Sequence, residues 1–378
     1  MRLFLVFYLL IYSCMHVYAF LKLKAAFDFG LRAGIMVALF FIFMVLAPVI
    51  VRLSESAGHE LFARFMAYAG YIWLAFIFLF FCSAFVMDMY RLVIWLAGLI
   101  LQKDLSAVST NARYSVFIPI AISACVCVYG YFEALNIQTE NIVIETDKLP
   151  ANVDRVRIAQ ISDVHVGLIV REERLALMLK KVEESRPDIV VSTGDLLDGQ
   201  INGLHNMPEM FRNLNPKYGK YAVTGNHEFF AGLKPAADFI NASGFRLLRN
   251  EAVTVDNLLI LAGVDDPSVV FTPGGKKPDE SRVLAPLPRN RFIVLLKHRP
   301  LIDEESAGLF DLQLSGHVHK GQIFPFSIVT HFYYKHQAGL LRFDGGILYI
   351  SRGTGTWGPP IRFLVPPEVT VIDIVRKK

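Results

Sequence analysis

Four long uncharged stretches dominate the first third of the chain. They run over residues 3–21, 33–51, 65–87 and 114–132, and each is 19 to 23 residues long. A helix of that length crosses a hydrocarbon core about 30 Å thick, and it keeps its backbone polar groups satisfied there. A helix buried in a water-soluble protein would show one apolar face. These stretches are apolar all round, which reads as membrane spans. A fifth stretch, residues 92–101, has only ten residues and reads as an extension of the third span or an interfacial segment. The first stretch follows Arg2, yet Val17-Tyr18-Ala19 is a poor cleavage site. It reads as an uncleaved helix rather than a signal peptide.

Charge is distributed to match. Residues 1–135 carry nine Lys/Arg and six Asp/Glu, against 29 and 28 in residues 136–378. The boundary is therefore placed at 135/136, with a transmembrane helical region before it and a water-soluble domain after it. Net charge is only +4 and basic runs are missing, so nucleic-acid binding has no support. Cys14, Cys82, Cys125 and Cys127 all lie in the first region, which excludes a disulfide framework or thiolate zinc site in the second. The spans hold no charged residue, as suits an anchor; transporters usually need ionisable groups there. Loops 22–32 and 88–113 hold six basic residues, against Arg2, Arg52, Arg64 and Lys148 on the other side. That excess puts the two loops in the cytoplasm and the second domain outside it.

In the second region, apolar strands alternate with helical patterns. Residues 156–161, a helix over 171–184 and a strand over 188–193 form a βαβ-like unit. Further strands are predicted at 220–224, 245–249, 259–264, 291–296, 311–315, 346–350 and 368–375. Residues 265–290, rich in proline, read as a loop. The predicted fold class is α/β: a sandwich of two central sheets flanked by helices, following a four-helix membrane region.

Polar clusters follow five of these strands directly. Asp163 and His165 follow the first, Asp195 the second, and Asn226 and His227 the third. His298 follows a later strand, and His317 and His319 the next. Open sheets place ligand sites at the carboxyl ends of their strands. Carboxylates, imidazoles and an amide oxygen, with no thiolate, suit manganese, iron or zinc. Leaving His227 to spare, the other seven donors exceed what one ion with an open position can take, but they suit two ions sharing a carboxylate. Two ions about 3.5–4 Å apart can clamp the attacking and leaving oxygens of a phosphate.

In order and spacing, Asp163-Val164-His165, Gly194-Asp195, Gly225-Asn226-His227-Glu228, His298 and Gly316-His317-Val318-His319 resemble the calcineurin-like metallophosphoesterase superfamily. The resemblance covers roughly residues 155–376. The tail over 351–370 resembles a membrane-associated bacterial subgroup related to UDP-2,3-diacylglucosamine pyrophosphatases. The resemblance implies two divalent ions, manganese foremost and zinc or iron as alternatives. Asp163, His165 and His319 would hold one ion, Asn226, His298 and His317 the other, and Asp195 both. His227 would protonate the leaving oxygen or stabilise phosphoryl charge, with Glu228 orienting it or simply solvated. A hydroxide bridging the ions would attack the phosphorus.

The substrate expectation is a lipid-linked or envelope phosphate ester or pyrophosphate. It would be met at a bacterial inner membrane, with the lipid bilayer as the partner. Soluble phosphodiesters or nucleotides are the alternative, and a non-catalytic sensor or transporter domain a third. Residues 322–334, aromatic and apolar, read as a loop that either packs in the core or forms a membrane-touching wall beside the metals. Arg352 and Arg362 are read as phosphate contacts or as structural residues, and stand outside the site.

Overall fold

The computed structural model describes residues 2–199, 203–204 and 206–377. It divides into two units. One runs to Phe132 and takes in Gly358–Ile361; the other holds Glu133–Trp357 and the chain from Arg362.

The first unit is four helices: α1 (Arg2–Phe27), α2 (Leu31–Ser56), α3 (Glu60–Leu101) and α4 (Tyr114–Glu133). Each is long and apolar enough to cross a membrane. Residues 92–101 continue α3 without a break, so the third helix has 42 residues. Tyr12, Ala19, Phe41, Ile77, Phe80 and Val116 form the buried centre of this unit. His16 is buried beside them with both ring nitrogens partnered. Its Nδ1 lies 2.8 Å from the Tyr12 carbonyl, and Trp73 Nε1 donates to its Nε2 at 2.9 Å. Lys22 pairs with Asp88 at 2.5 Å, joining α1 to α3.

The second unit runs β1 (Gln138–Thr146), β2 (Arg155–Ile161), α5 (Glu172–Glu184), β3 (Ile189–Ser192), α6 (Met207–Arg212), β4 (Lys220–Ala222), α7 (Asn226–Ala231), α8 (Leu233–Ala242) and β5 (Arg246–Leu247). It continues with β6 (Glu251–Val255), β7 (Leu259–Gly263), α9 (Glu280–Leu284), β8 (Ile293–Leu296), β9 (Leu312–Ser315), α10 (Phe326–Tyr333), β10 (Gly339–Phe343), β11 (Gly346–Ile350) and β12 (Glu368–Arg376). The strands make two six-stranded sheets, ordered β1-β12-β2-β3-β4-β5 and β10-β11-β9-β8-β7-β6. Within them β2, β3, β4 and β5 run parallel, as do β7, β8, β9 and β11.

Strand alternation divides the core. Ile158, Val191, Leu261, Val294, Leu314 and Ile372 fill the space between the sheets. Their neighbours Ala159, Ile161 and Val190 turn the other way, onto Leu175, Met178 and Val182 of α5 and Phe239 and Ile240 of α8. A strand buried on both faces reads as a continuous apolar run, which makes β2 and β3 conspicuous in the sequence.

Three strands do not show in the sequence pattern. In β1, exposed and half-buried positions alternate over most of its length, and its sequence is correspondingly polar. The others, β6 and β10, lie at sheet edges and are largely half-buried or exposed. Residues 265–290 are not one loop: a 3₁₀ turn spans Pro267–Phe271, and α9 buries Glu280 and Leu284. Residues 326–333 form a helix instead of the expected loop.

Candidate metal centre

Five parallel strands end at one place. Asp163 and His165 leave β2, Asp195 leaves β3, and Asn226 and His227 open α7 after β4. His298 follows β8, and His317 and His319 follow β9. The parallel pairing brings these loops to the same ends of their sheets.

Donor atoms converge there. His165 Nε2 lies 3.2 Å from His319 Nε2, and His319 Nε2 lies 3.4 Å from Asp163 Oδ1. His317 Nδ1 lies 3.1 Å from His298 Nε2, which is 3.2 Å from both Asn226 Oδ1 and Asp195 Oδ2. Asp195 Oδ2 is also 3.9 Å from His165 Nε2, so its carboxylate stands between the two clusters. Among the described residues, three groups could hold a metal ion: Asp163–His165–His319, Asp195–His298–His317 and His165–Asp195–His227. Asn226 supplies its amide oxygen beside the second group.

The backbone is bent to achieve this. Asp163, His165, Asp195, His317 and His319 all have φ between 49° and 74°. Side chains other than glycine avoid that region, and each such residue costs on the order of 1–3 kcal/mol. Two glycines permit close approach. A Cβ on Gly316 would collide with Ser162 Oγ and the Asp163 carboxylate, and one on Gly225 would collide with Asp195 Oδ1.

Residues around the donors fix their orientation. His298 Nδ1 faces the Thr193 carbonyl at 2.9 Å, which turns Nε2 toward the cluster. Ser162 Oγ donates to Asp163 at 2.5 Å, and the His317 N–H donates to the same carboxylate at 3.0 Å. His227 Nδ1 hydrogen-bonds the Asp198 carbonyl, and its ring meets His165 edge-on at 4.7 Å. The Asp198 carboxylate lies 3.5 Å from Nδ1 of both His165 and His227.

Glu228 is neither solvated nor bonded to His227. It is fully buried and accepts the N–H groups of Asp195, Leu197 and Gly225 at 3.0, 3.2 and 2.7 Å. Arg362 is also fully buried, with its guanidinium engaged by backbone carbonyls and His319. It donates to the carbonyls of Arg352 and Gly355 and lies 3.2 Å from His319 Nδ1. Arg352 pairs with Glu140 and with Glu368. Sequence reasoning misses Asp198; its signal is a second aspartate three residues after Asp195.

Electrostatics favour a cation. Burial would raise the Asp195 carboxyl, but His298 and His227 outweigh that and hold it well below the usual range. Asp163 is lowered despite burial by His319 and His298. Burial, reinforced by His298, pulls His317 down to about 3. Burial brings His319 down to about 4 against the pull of Asp163. Burial opposes charge on His298 and His165 too, but Asp195 and Asp163 raise His298 to about 10, and Asp198 and Asp195 raise His165. A divalent ion bound by ionised carboxylates and neutral imidazoles would take the place of those protons. The donor types and their mutual distances fit two such ions.

Comparison with known proteins agrees. The model of the calcineurin-like phosphoesterase family matches residues 156–321. A protein named "Uncharacterized metallophosphoesterase" from Aquifex aeolicus is 37% identical over 69% of this chain and 99% of its own length. The chain belongs to the calcineurin-like phosphoesterase family. It is thus a metal-dependent phosphoesterase, of a family that uses a binuclear divalent centre. A "Transmembrane protein with metallophosphoesterase domain" from Danio rerio is 29% identical over 73% of this chain and 67% of its own length. Among solved structures, a 5'-nucleotidase precursor from Thermus thermophilus shares 16% identity, with a TM-score of 0.35. That match covers 58% of this chain and 54% of the nucleotidase, so the chain spans about half of that protein.

Proposed function

We propose that this phosphoesterase is anchored by its four apolar helices and hydrolyses a lipid-linked or envelope phosphate ester or pyrophosphate. The observation that carries the reading is one chain with four span-length helices and seven donors gathered at five strand ends. An enzyme held at a bilayer meets substrates that the bilayer holds. In this reading residues 136–378 form the catalytic domain, at a bacterial inner membrane. The loop charges support a position outside the cytoplasm for that domain. Outside, an envelope lipid phosphate suits the site better than a cytoplasmic nucleotide-linked lipid.

Asp163, His165 and His319 would hold one ion, Asn226, His298 and His317 the other, and Asp195 both. When bound, the pair supplies charge neutralisation for phosphate oxygens and an acidified water as nucleophile, with manganese our first choice. His227 does the proton work. With Nδ1 turned to the Asp198 carbonyl, Nε2 is left to carry the proton that the leaving oxygen takes. Asp198 and Glu228 position this machinery without touching substrate.

The test is turnover of the purified full chain, metal-stripped and then restored with manganese, zinc or magnesium. A diacylglycerol phosphate or pyrophosphate in mixed micelles is compared with bis-p-nitrophenyl phosphate. We expect metal-dependent turnover, lost in Asp195→Asn and His227→Ala, with the lipid preferred. Preference for the soluble diester would favour a phosphodiesterase that uses its helices only for location. No turnover with two ions bound would overturn the catalytic assignment.

A further inference from the structure

Helix α10 is an exposed element. None of its residues is buried, and Phe332 and Tyr333 are 87% and 72% exposed. At about 100° per residue, Ile328, Phe332, Val329 and Tyr333 share one arc, while Thr330, Ser327 and His331 occupy the other. Thr330 and Ser327 of the polar arc are tied down. Thr330 Oγ1 bonds Gln337 at 2.7 Å, and Gln337 Nε2 donates to the Ser327 carbonyl at 2.9 Å. The apolar arc is therefore the outward one.

The first turn of this helix packs on Gly321, two residues after His319, where an added Cβ would lie 2.5 Å from Ser327 N. Tyr334, just past its end, sets its ring 5.8 Å from that of His317. Beside it opens a cavity of about 470 Å³, lined by Lys320, His331, Lys335 and His336 together with Ser327 and Phe332. Among the described residues, no acidic side chain lines it. A short helix with an outward apolar arc and a cationic flank has the chemistry of an interfacial helix on an anionic bilayer.

We propose that α10 inserts its apolar arc into an anionic bilayer surface while Lys320 and Lys335 take lipid phosphates at its flank. The lipid surface is thereby held next to the metal centre. This rests on reading the four helices as membrane spans, and it gives the lipid-linked substrate a docking route. A second copy of the chain is the competing occupant of the arc.

The experiment is hydrogen–deuterium exchange on the full chain, read by mass spectrometry over residues 324–338. The chain is compared in nanodiscs of phosphatidylcholine, in nanodiscs of phosphatidylcholine with phosphatidylglycerol, and in detergent. Exchange in α10 should be about tenfold slower in anionic discs than in detergent. Lys320→Glu and Lys335→Glu should each remove about fivefold of that protection, and added salt should weaken it. Ile328→Ser with Phe332→Ser should abolish it, while β7, β8 and β9 keep their protection as a check on folding. Equal exchange in all three media would overturn the proposal. So would protection that follows protein concentration in detergent, which means self-association. The readout needs neither metal nor substrate. Turnover of bis-p-nitrophenyl phosphate on the same samples therefore separates failure of docking from failure of the catalytic reading.

Discussion

Gly316 shows how little room the centre leaves. Its missing side chain is the space that Ser162 Oγ and the Asp163 carboxylate occupy. Gly316→Ala should destabilise the protein by about 1–3 kcal/mol, as overpacking does, and displace Asp163. Elemental analysis should then find less than two ions per chain, alongside a lowered melting temperature. Glu228→Ala should be worse. It strands three buried N–H groups, each at a cost of about 1–3 kcal/mol, and soluble yield should collapse. At this scale the donors were legible, because Asp, His and Asn differ from their surroundings in chemistry. Their orienting partners were not. Those of His298 and His227 are the carbonyls of Thr193 and Asp198, and every residue has a carbonyl. Glu228 deceives for a related reason: its sequence position suggests a neighbour of His227, while its carboxylate turns back toward the strand-end loops.

Among elements, the joint between β2 and β12 carries a pH signature. Arg157 holds Asp373 with two bonds of 2.8 Å, and this keeps the carboxyl below its usual range despite partial burial. A depressed carboxyl stabilises fully above its unfolded value and loses that contribution as pH falls through its folded value. Asp373→Asn should therefore cost about 1 kcal/mol in urea unfolding at neutral pH, and the gap to the parent should close in acid. Helix α10 yields a kinetic counterpart. Ile328→Ser with Phe332→Ser should lower kcat/KM on a bilayer-held phosphate about tenfold more than on bis-p-nitrophenyl phosphate. The central strands were legible because burial on both faces leaves an apolar run. The edges β1, β6 and β10 were not, since a half-wet strand resembles a loop. Helix α10 reads as loop because it has only eight residues, so the apolar spacing of Ile328, Val329, Phe332 and Tyr333 is never repeated.

For the whole molecule, the two units should respond separately to chelation. All seven donors belong to the unit after Phe132. Ions at a hundredfold excess over their dissociation constant stabilise a fold by about 2.7 kcal/mol per site. Calorimetry of the full chain should show EDTA lowering the transition of the sandwich and leaving that of the helices in place. A shift in both would mean that they unfold as one. Their separate natures were visible in the charge distribution alone, since burying a charge in hydrocarbon is costly.

The register of β1 has a consequence for synthesis. Gln138 pairs with Glu368, 230 residues later, and β12 lies between β1 and β2. As the ribosome works, β1 emerges soon after the fourth helix and finds no neighbour. At about 5–20 residues per second, the wait for β12 lasts on the order of ten to fifty seconds. For that time two strands offer open edges to whatever else is being made nearby. The polar residues at 138–141 and 145–146 that hide β1 from pattern reading also make such an edge a poorer template for aggregation.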